Sequence, residues 1–475
     1  MLTATILNAL TICERRVWRD VYLKPARDLP GVVTLSMLTS AIMEDAVPLP
    51  EKDRPIVVRS WAEGVEQTRL AIQNRTPAIV NAYLEYAHPP ITLRANVDRL
   101  ERGSNGLYFP VITKQNTTIL PEDVLRLEFC LWILCHLQET ESLPGLFWLG
   151  VTRPNMPTEI APHGYNPVRF EKTLQHAVAL LSESEPPAVL ISDCKFCPWK
   201  PDCYPEAKSR KHVSLLSKLR RDTLADLAKA NIHTLDQIAA MQPDDLKRFR
   251  GIKKGAVAIH ASARAWVEEQ PVWYGTLDPR CETEGYYFDI ETLQDGVGRT
   301  VVWSIGWCGP DGLSQTIVVG TDSRVTSAAL PDGRSVTLVP DHQAAWQVFA
   351  DSVAGSTLPI FHWTGYDAGV MAGSAPEAVV ESLAPRLSDL CHLVDSAVKF
   401  PVKGVSLKVV APYLGFQWKV YSDWFAAYQD YRRWLVDDDL AALASACSYQ
   451  RDDVDAMVVI RRWLAEHRPR SQPTQ

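Results

Sequence analysis

Apolar and polar positions fall into three textures along the chain. From residue 1 to about 207, helix-period stretches surround a segment that alternates like a hairpin, ITLRANVDRLERGSNGLYFPVITK, with GSNG as its turn. The apolar run FCLWILCHL within this region predicts a buried helix, and MLTATILNALTICERR predicts a first folded helix. From about 208 to 272 the pattern is one of short helices. From about 278 to 468 strand-like runs (GYYFDIET, TVVWSIGWC, QTIVVGT, LPIFHW) alternate with helix-like ones (HQAAWQVFADSVA, PEAVVESLA, DDVDAMVVIRRWLAEH). The polar ending RPRSQPTQ predicts a frayed terminus. The chain reads as α/β and multidomain, divided at 1–207, 208–272 and 278–468.

Composition narrows the class. The 475 residues suffice for two or three domains, and 46% hydrophobic with 22% charged residues is ordinary for a globular chain. The net charge of −7 excludes a polyanion binder as a whole. Contact with nucleic acid must therefore come from local basic patches, and the middle segment concentrates lysine and arginine between Lys208 and Lys254. No apolar run approaches the ~20 residues of a membrane span, and the N-terminus lacks the pattern of a secretion signal. The expectation is a cytoplasmic protein with no membrane partner. Ten cysteines in such a chain point to thiols or metal ligands rather than a disulfide framework.

Candidate chemistry begins at FDIET. On a strand, residues i and i+2 face the same side, so Asp289 and Glu291 lie together at a strand end, a costly pair without a cation. Three further acidic features follow. Asp367 begins a helix after an apolar strand, in FHWTGYDAGVM. Asp389 lies in RLSDLCHLV. Tyr449 and Asp453 are four apart, on one helix face. Carboxylates from separate segments, converging on a strand end, suit two hard cations such as Mg²⁺ or Mn²⁺ and phosphodiester hydrolysis. Asp452 and Asp455 read as solvated neighbours.

The ordered set F-D-I-E-T, Y-D, D-L, Y-x-x-x-D resembles the DEDD exonucleases of the RNase H-like fold, in the subtype closing on tyrosine. The resemblance implies that Asp289, Glu291, Asp367 and Asp453 bind two metals and that Tyr449 orients the attacking water. HWTGYD departs from the Asn-Gly pair that many relatives carry before the acid.

DCKFCPWKPDC supplies Cys194, Cys197 and Cys203, a C-x2-C-x5-C cluster that can wrap one metal centre. With Cys13 in TICERRVW, it resembles the iron–sulfur RecB-family nucleases, in which a [4Fe–4S] cluster staples the two ends of a PD-(D/E)XK nuclease domain. Ligand chemistry alone also allows tetrahedral zinc. In that family an acid precedes a D/E-x-K strand. Here Asp98 and Lys114 match, but Ile112 stands where the second acid belongs. The resemblance then leaves two outcomes: a scaffold that binds DNA without cutting, or a second nuclease site to which Glu66 and Glu128 contribute ligands. The middle segment, with RGIKKG between helical patterns, resembles a helix-hairpin-helix element in which Gly251, Lys253, Lys254 and Gly255 grip a phosphate backbone.

Over nearly its full length the order of parts resembles predicted RecB-like nucleases with an appended RNase H-like domain. This implies a 3′→5′ exonuclease acting on single-stranded or 3′-ended DNA in repair or defence, beside a helicase or another protein of those pathways. A non-catalytic DNA-binding subunit and an RNA-processing exonuclease are the alternatives.

Overall fold

The computed structural model describes residues 1–23, 56, 58–151, 157–294, 299–421 and 423–469. Most of the polar ending lies outside them. The chain divides into two compact units, residues 1–188 with 193–203, and residues 189–192 with 204–475. Both are mixed α/β.

In the first unit the N-terminal run does not form one helix. It makes a strand β1 (Leu2–Thr3), a short helix α1 (Ala4–Ala9) and, after a turn, helix α2 (Glu14–Tyr22). The break has a local cause. The amides of Thr11, Ile12 and Cys13 bond back to Asn8 and Ala9, and Cys13 takes an extended conformation at the start of α2. Helix α3 (Trp61–Gln73) precedes the long strands β2 (Ala78–His88) and β3 (Ile91–Arg102). Then come β4 (Tyr108–Thr113), α4 (Pro121–Leu137), β5 (Gly145–Leu149), β6 (Glu159–His163) and α5 (Pro167–Ser182). The hairpin anticipated around GSNG is β3–β4, with Arg99 opposite Val111 and Gly106 at φ +84° in the turn. The sheet order is β1-β3-β4-β5-β6, with β2 also against β3. FCLWILCHL lies in α4, where the residues from Leu127 to Cys135 are buried and His136 and Leu137 are exposed.

The second unit opens with short helices, among them Leu235–Ala239, Pro243–Leu246 and α6 (Ala256–Glu268). A seven-stranded sheet follows: β7 (Tyr286–Gln294), β8 (Thr300–Cys308), β9 (Ser314–Val319), β10 (Thr326–Ala329), β11 (Ser335–Val339), β12 (Ile360–His362) and β13 (Leu387–Asp389). Its order is β10-β11-β9-β8-β7-β12-β13. β7, β8 and β9 are antiparallel, while β12 and β13 run parallel to β7. Helix α7 (His342–Val353) buries Trp346 and Phe349 against Phe288 and Trp307. Helix α8 (Gly365–Ser374) follows β12, and α9 (Leu390–Ala397) follows β13. Then come α10 (Leu407–Tyr413), α11 (Trp424–Asp437) and the 28-residue α12 (Leu440–His467). Among the described residues no helix is long and apolar enough to cross a membrane.

Candidate active site

The site forms where α12 crosses β7 and β8. Asp289 faces Gly306 and Glu291 faces Ser304 across the antiparallel pair, and the register shifts immediately after Glu291. Gly306 is needed for the approach of α12, because a Cβ there would lie 2.9 Å from the side chain of Gln450. Gln450 closes the contact. Its Nε2 donates to the Asp289 carbonyl at 3.1 Å, and its Oε1 accepts from the Ser304 hydroxyl at 2.5 Å. Tyr449 and Asp453 flank this anchor on one helix face, as their spacing predicts.

Carboxylate oxygens of Asp289, Glu291 and Asp453 lie within 4.8 Å of one another, the one such ligand group among the described residues. Oδ2 of Asp289 is buried without a hydrogen-bond partner. An orphaned carboxylate oxygen amid two other acids is a poor arrangement for a protein alone and a good one for a hard cation. The residues thus fit divalent metal binding.

Asp367 is buried in the first turn of α8, accepts from the Ile290 amide, and stands outside the close group. It still acts on Asp289 and Glu291 electrostatically. Burial pushes all four carboxyls above their ordinary range, Asp367 to about 8, and repulsion from neighbouring acids adds to the rise at Asp289, Glu291 and Asp367. Asp389, the third acidic feature of the sequence, caps α9: its Oδ1 accepts from the amides of His392 at 3.0 Å and Thr364 at 3.2 Å.

Three side chains that the sequence did not single out complete the site. Lys408 of α10 sets its Nζ on Asp453 and lies 4.3 Å from the Tyr449 ring centre and 4.4 Å from that of Trp418. Trp418 Nε1 donates to Asp453 Oδ1 at 2.6 Å. Asp452, expected to be solvated, is fully buried and accepts from the Lys419 amide at 2.7 Å. Asp455 is also part-buried, and burial raises its pKa. Both acids fasten the Trp418–Lys419 segment to α12 through Lys419, whose Nζ lies 3.1 Å from Asp452 and 3.9 Å from Asp455. The buried Tyr449 hydroxyl bonds to Asp453; burial first, then the neighbouring acids, drives its pKa far upward.

The second set of nuclease candidates is not assembled into a ligating group. Glu66 is exposed and paired with Arg69 at 2.5 Å. Asp98 is gripped by Arg126, with Nη2 on Oδ1 at 2.5 Å, and accepts from the Thr113 amide at 2.9 Å. Lys114 binds Asp123 at the start of α4. Glu128 is buried with His163 Nε2 at 3.3 Å. Each of these side chains is thus already partnered by its own neighbour, and Ile112 is buried in the apolar core.

The four cysteines lie in neighbouring segments of the first unit but do not form a close ligand group. Helix α2 is fastened to residues 181–202 by Trp18 Nε1 on the Glu183 carbonyl (3.1 Å), Tyr22 hydroxyl on the Leu181 carbonyl (2.6 Å), Arg19 on Asp202 (2.9 Å) and Trp199 Nε1 on Asp20 (2.6 Å). Cys13 is thereby brought into electrostatic range of Cys197 and Cys203, and Cys194 into range of Cys197. Burial pushes the Cys203 thiol up to about 11, opposed by Arg15 and Arg19; Arg16 opposes the same shift at Cys197. Cys130, Cys135, Cys281, Cys308, Cys391 and Cys447 are buried core thiols.

In the middle segment RGIKKG forms the turn before α6. Gly251 has φ +79°, Gly255 caps the helix, and Lys253 and Lys254 are exposed.

Among curated proteins no significant match to the chain is found. A solved structure described as "Crystal structure of SSO0001" is similar at 14% identity over 43% of this chain and 86% of its own, with a TM-score of 0.20, too low to bear on the fold. Residues 286–465 match the family model RNase_H_2 of the RNase H superfamily, the stretch that holds the strand pair, the acids and α12. The C-terminal part of the chain is an RNase H-like domain, a fold of metal-dependent nucleases.

Proposed function

We propose that this domain is a 3′→5′ exonuclease that hydrolyses DNA phosphodiesters at the acid set on β7, α8 and α12. The observation that carries the reading is the approach of the Asp289, Glu291 and Asp453 oxygens with Asp289 Oδ2 left partnerless. Asp289, Glu291, Asp367 and Asp453 would hold two Mg²⁺ or Mn²⁺, which when bound activate water and stabilise the leaving oxygen.

The protein's own groups have separable tasks. Tyr449 stays protonated, because its phenol is buried beside carboxylates. It can orient a water or a phosphate oxygen but not accept its proton. Lys408 opposes the accumulated negative charge and, tethered between two rings, offers ammonium protons beside Asp453. Gln450 holds the strand backbone beneath Asp289, and Trp418 fixes the Asp453 carboxylate.

The rest of the chain would hold substrate. The cysteine set would carry a [4Fe–4S] cluster, whose negative charge suits the arginines of α2. The first unit would act as a DNA-binding scaffold, since its candidate acids already have partners within the protein. The RGIKKG turn would contact the phosphate backbone through Lys253, Lys254 and the amides near Gly251 and Gly255.

Protein purified without oxygen, given Mn²⁺ and single-stranded DNA labelled at its 5′ end, tests this beside Asp289→Ala. A ladder of shortening products from the wild type alone is the expected result. A ladder that survives the substitution moves the activity elsewhere in the chain. Strand binding without cutting by either protein makes it a DNA-binding subunit. A matched RNA strand in the same assay distinguishes an RNA-processing enzyme.

A further inference from the structure

The segment joining α10 to α11 is aromatic, and its rings point two ways. Trp418 and Tyr421 turn inward. Trp418 donates to Asp453, and the Tyr421 ring lies 5.8 Å from that of Tyr449. Tyr421 is fixed there by its hydroxyl on Asp430 at 3.1 Å. Val420 and Trp424 turn outward and are 49% and 57% exposed. An indole left in water at the first turn of a helix gives up the burial that normally pays for so large a side chain. Here it is also oriented: the Phe425 ring meets it edge-on, with centroids 5.7 Å apart.

We propose that Trp424, with the exposed Val420 of the same segment, is a stacking lip for the unpaired bases of a nucleic-acid strand whose end lies at the acid set. The inference rests on the nuclease reading and adds the substrate's structural class. Its support is continuity. One stretch of seven residues touches Asp453 at one end and exposes an indole at the other, a distance of at most ~20 Å along the chain. A strand bound at the acids has neighbouring nucleotides within that reach. Every base has a π face, so a lone exposed indole recognises unpaired bases without reading sequence. In a duplex those faces are covered by their neighbours. The lip therefore selects a single-stranded end.

The test compares wild type, Trp424→Ala and Trp424→Phe on a 5′-labelled single-stranded 12-mer and on a dinucleotide, with Mn²⁺. Removing one base–aromatic stack should lower the 12-mer to dinucleotide ratio of kcat/KM by about tenfold, through KM for the 12-mer, and phenylalanine should restore most of it. A ratio equal to that of wild type overturns the proposal. An equal fall on both substrates also overturns it, because it marks a structural role. If wild type cuts neither substrate, the exonuclease reading has failed by itself. Binding of the 12-mer then decides the lip: about tenfold weaker binding by Trp424→Ala supports it, and unaltered binding overturns it.

Discussion

Lys408 places its ammonium group on Oδ1 of Asp453, so that the site carries a cation of its own. That amine lowers the proton affinity of Asp289, Glu291 and Asp453 alike. A lysine in this position does part of the work of a metal in the metal-free protein.

Lys408→Met should therefore destabilise the C-terminal domain in chelator by about 2 kcal/mol. That is less than the ~3–5 of a fully buried pair, because the lysine side chain keeps 29% exposure. Saturating Mg²⁺ should recover much of the loss, since the metal supplies the missing positive charge. Denaturant titrations in EDTA and in Mg²⁺ measure both. The same loss in the two media would show that Lys408 does not act through the acid set.

Asp289→Asn should separate stability from function. In chelator, the four carboxyls bind protons more tightly folded than unfolded, Asp367 up to about pH 8. The unfolded chain sheds those protons near pH 4. Below about pH 4 the set has no effect on stability; as pH rises from there stability falls, with the share of Asp367 lost by about pH 8. Removing one charge should raise the unfolding midpoint at pH 8 and leave it unchanged near pH 4, while activity falls by more than the ~10–100-fold that loss of a supporting partner costs a metal site. Metal should flatten the wild-type profile. A chelated wild type that gains stability between pH 4 and 8 would contradict the account.

These two cases show what the sequence could and could not disclose. Asp289 with Glu291, and Tyr449 with Asp453, are legible because strand and helix periods place each pair on one side before any tertiary contact exists. Lys408 and Trp418 reach the site from a connecting segment with no such period, and only the packing of α10 and α12 brings them there. Asp452 looks solvated within the polar run RDDVD, and its burial depends on a backbone amide 33 residues away. In the first unit Asp98 and Lys114 fit a nuclease pattern, yet Arg126 and Asp123 had claimed them, at separations of 28 and 9 residues that no motif encodes. The N-terminal apolar run is helical in period but not in its turn at residues 10–13.

Asp452→Ala should act on the site through Trp418. It leaves the Lys419 amide without its acceptor, a cost of about 1–3 kcal/mol if that amide stays buried. It also loosens the segment that holds Trp418 on Asp453. The concentration of Mn²⁺ needed for half-maximal activity should rise several-fold, and Asp452→Asn, which keeps an acceptor oxygen, should recover most of it. A metal requirement unmoved in the alanine variant would make Asp452 structural only.

If the proposed cluster is present, anaerobically purified protein should be brown, and Cys197→Ser should remove the colour and lower the stability of the first unit, because the centre would lose a ligand. Colour and stability equal to wild type would exclude an iron–sulfur cluster there, and zinc content without colour would identify the tetrahedral alternative.

Tyr449→Phe distinguishes a positioning phenol from a base. The hydroxyl is buried, faces carboxylates and bonds to Asp453, so its proton is retained across the working pH range. Its loss removes one hydrogen bond and no charge. We expect kcat to fall by about a hundredfold, the low end for a positioned proton-handling group, with metal affinity within a few-fold of wild type. The alkaline limb of the pH–rate profile should stay where it is, because Tyr449 does not titrate there. A variant that loses that limb would show that the phenol ionises and takes the proton of the attacking water itself.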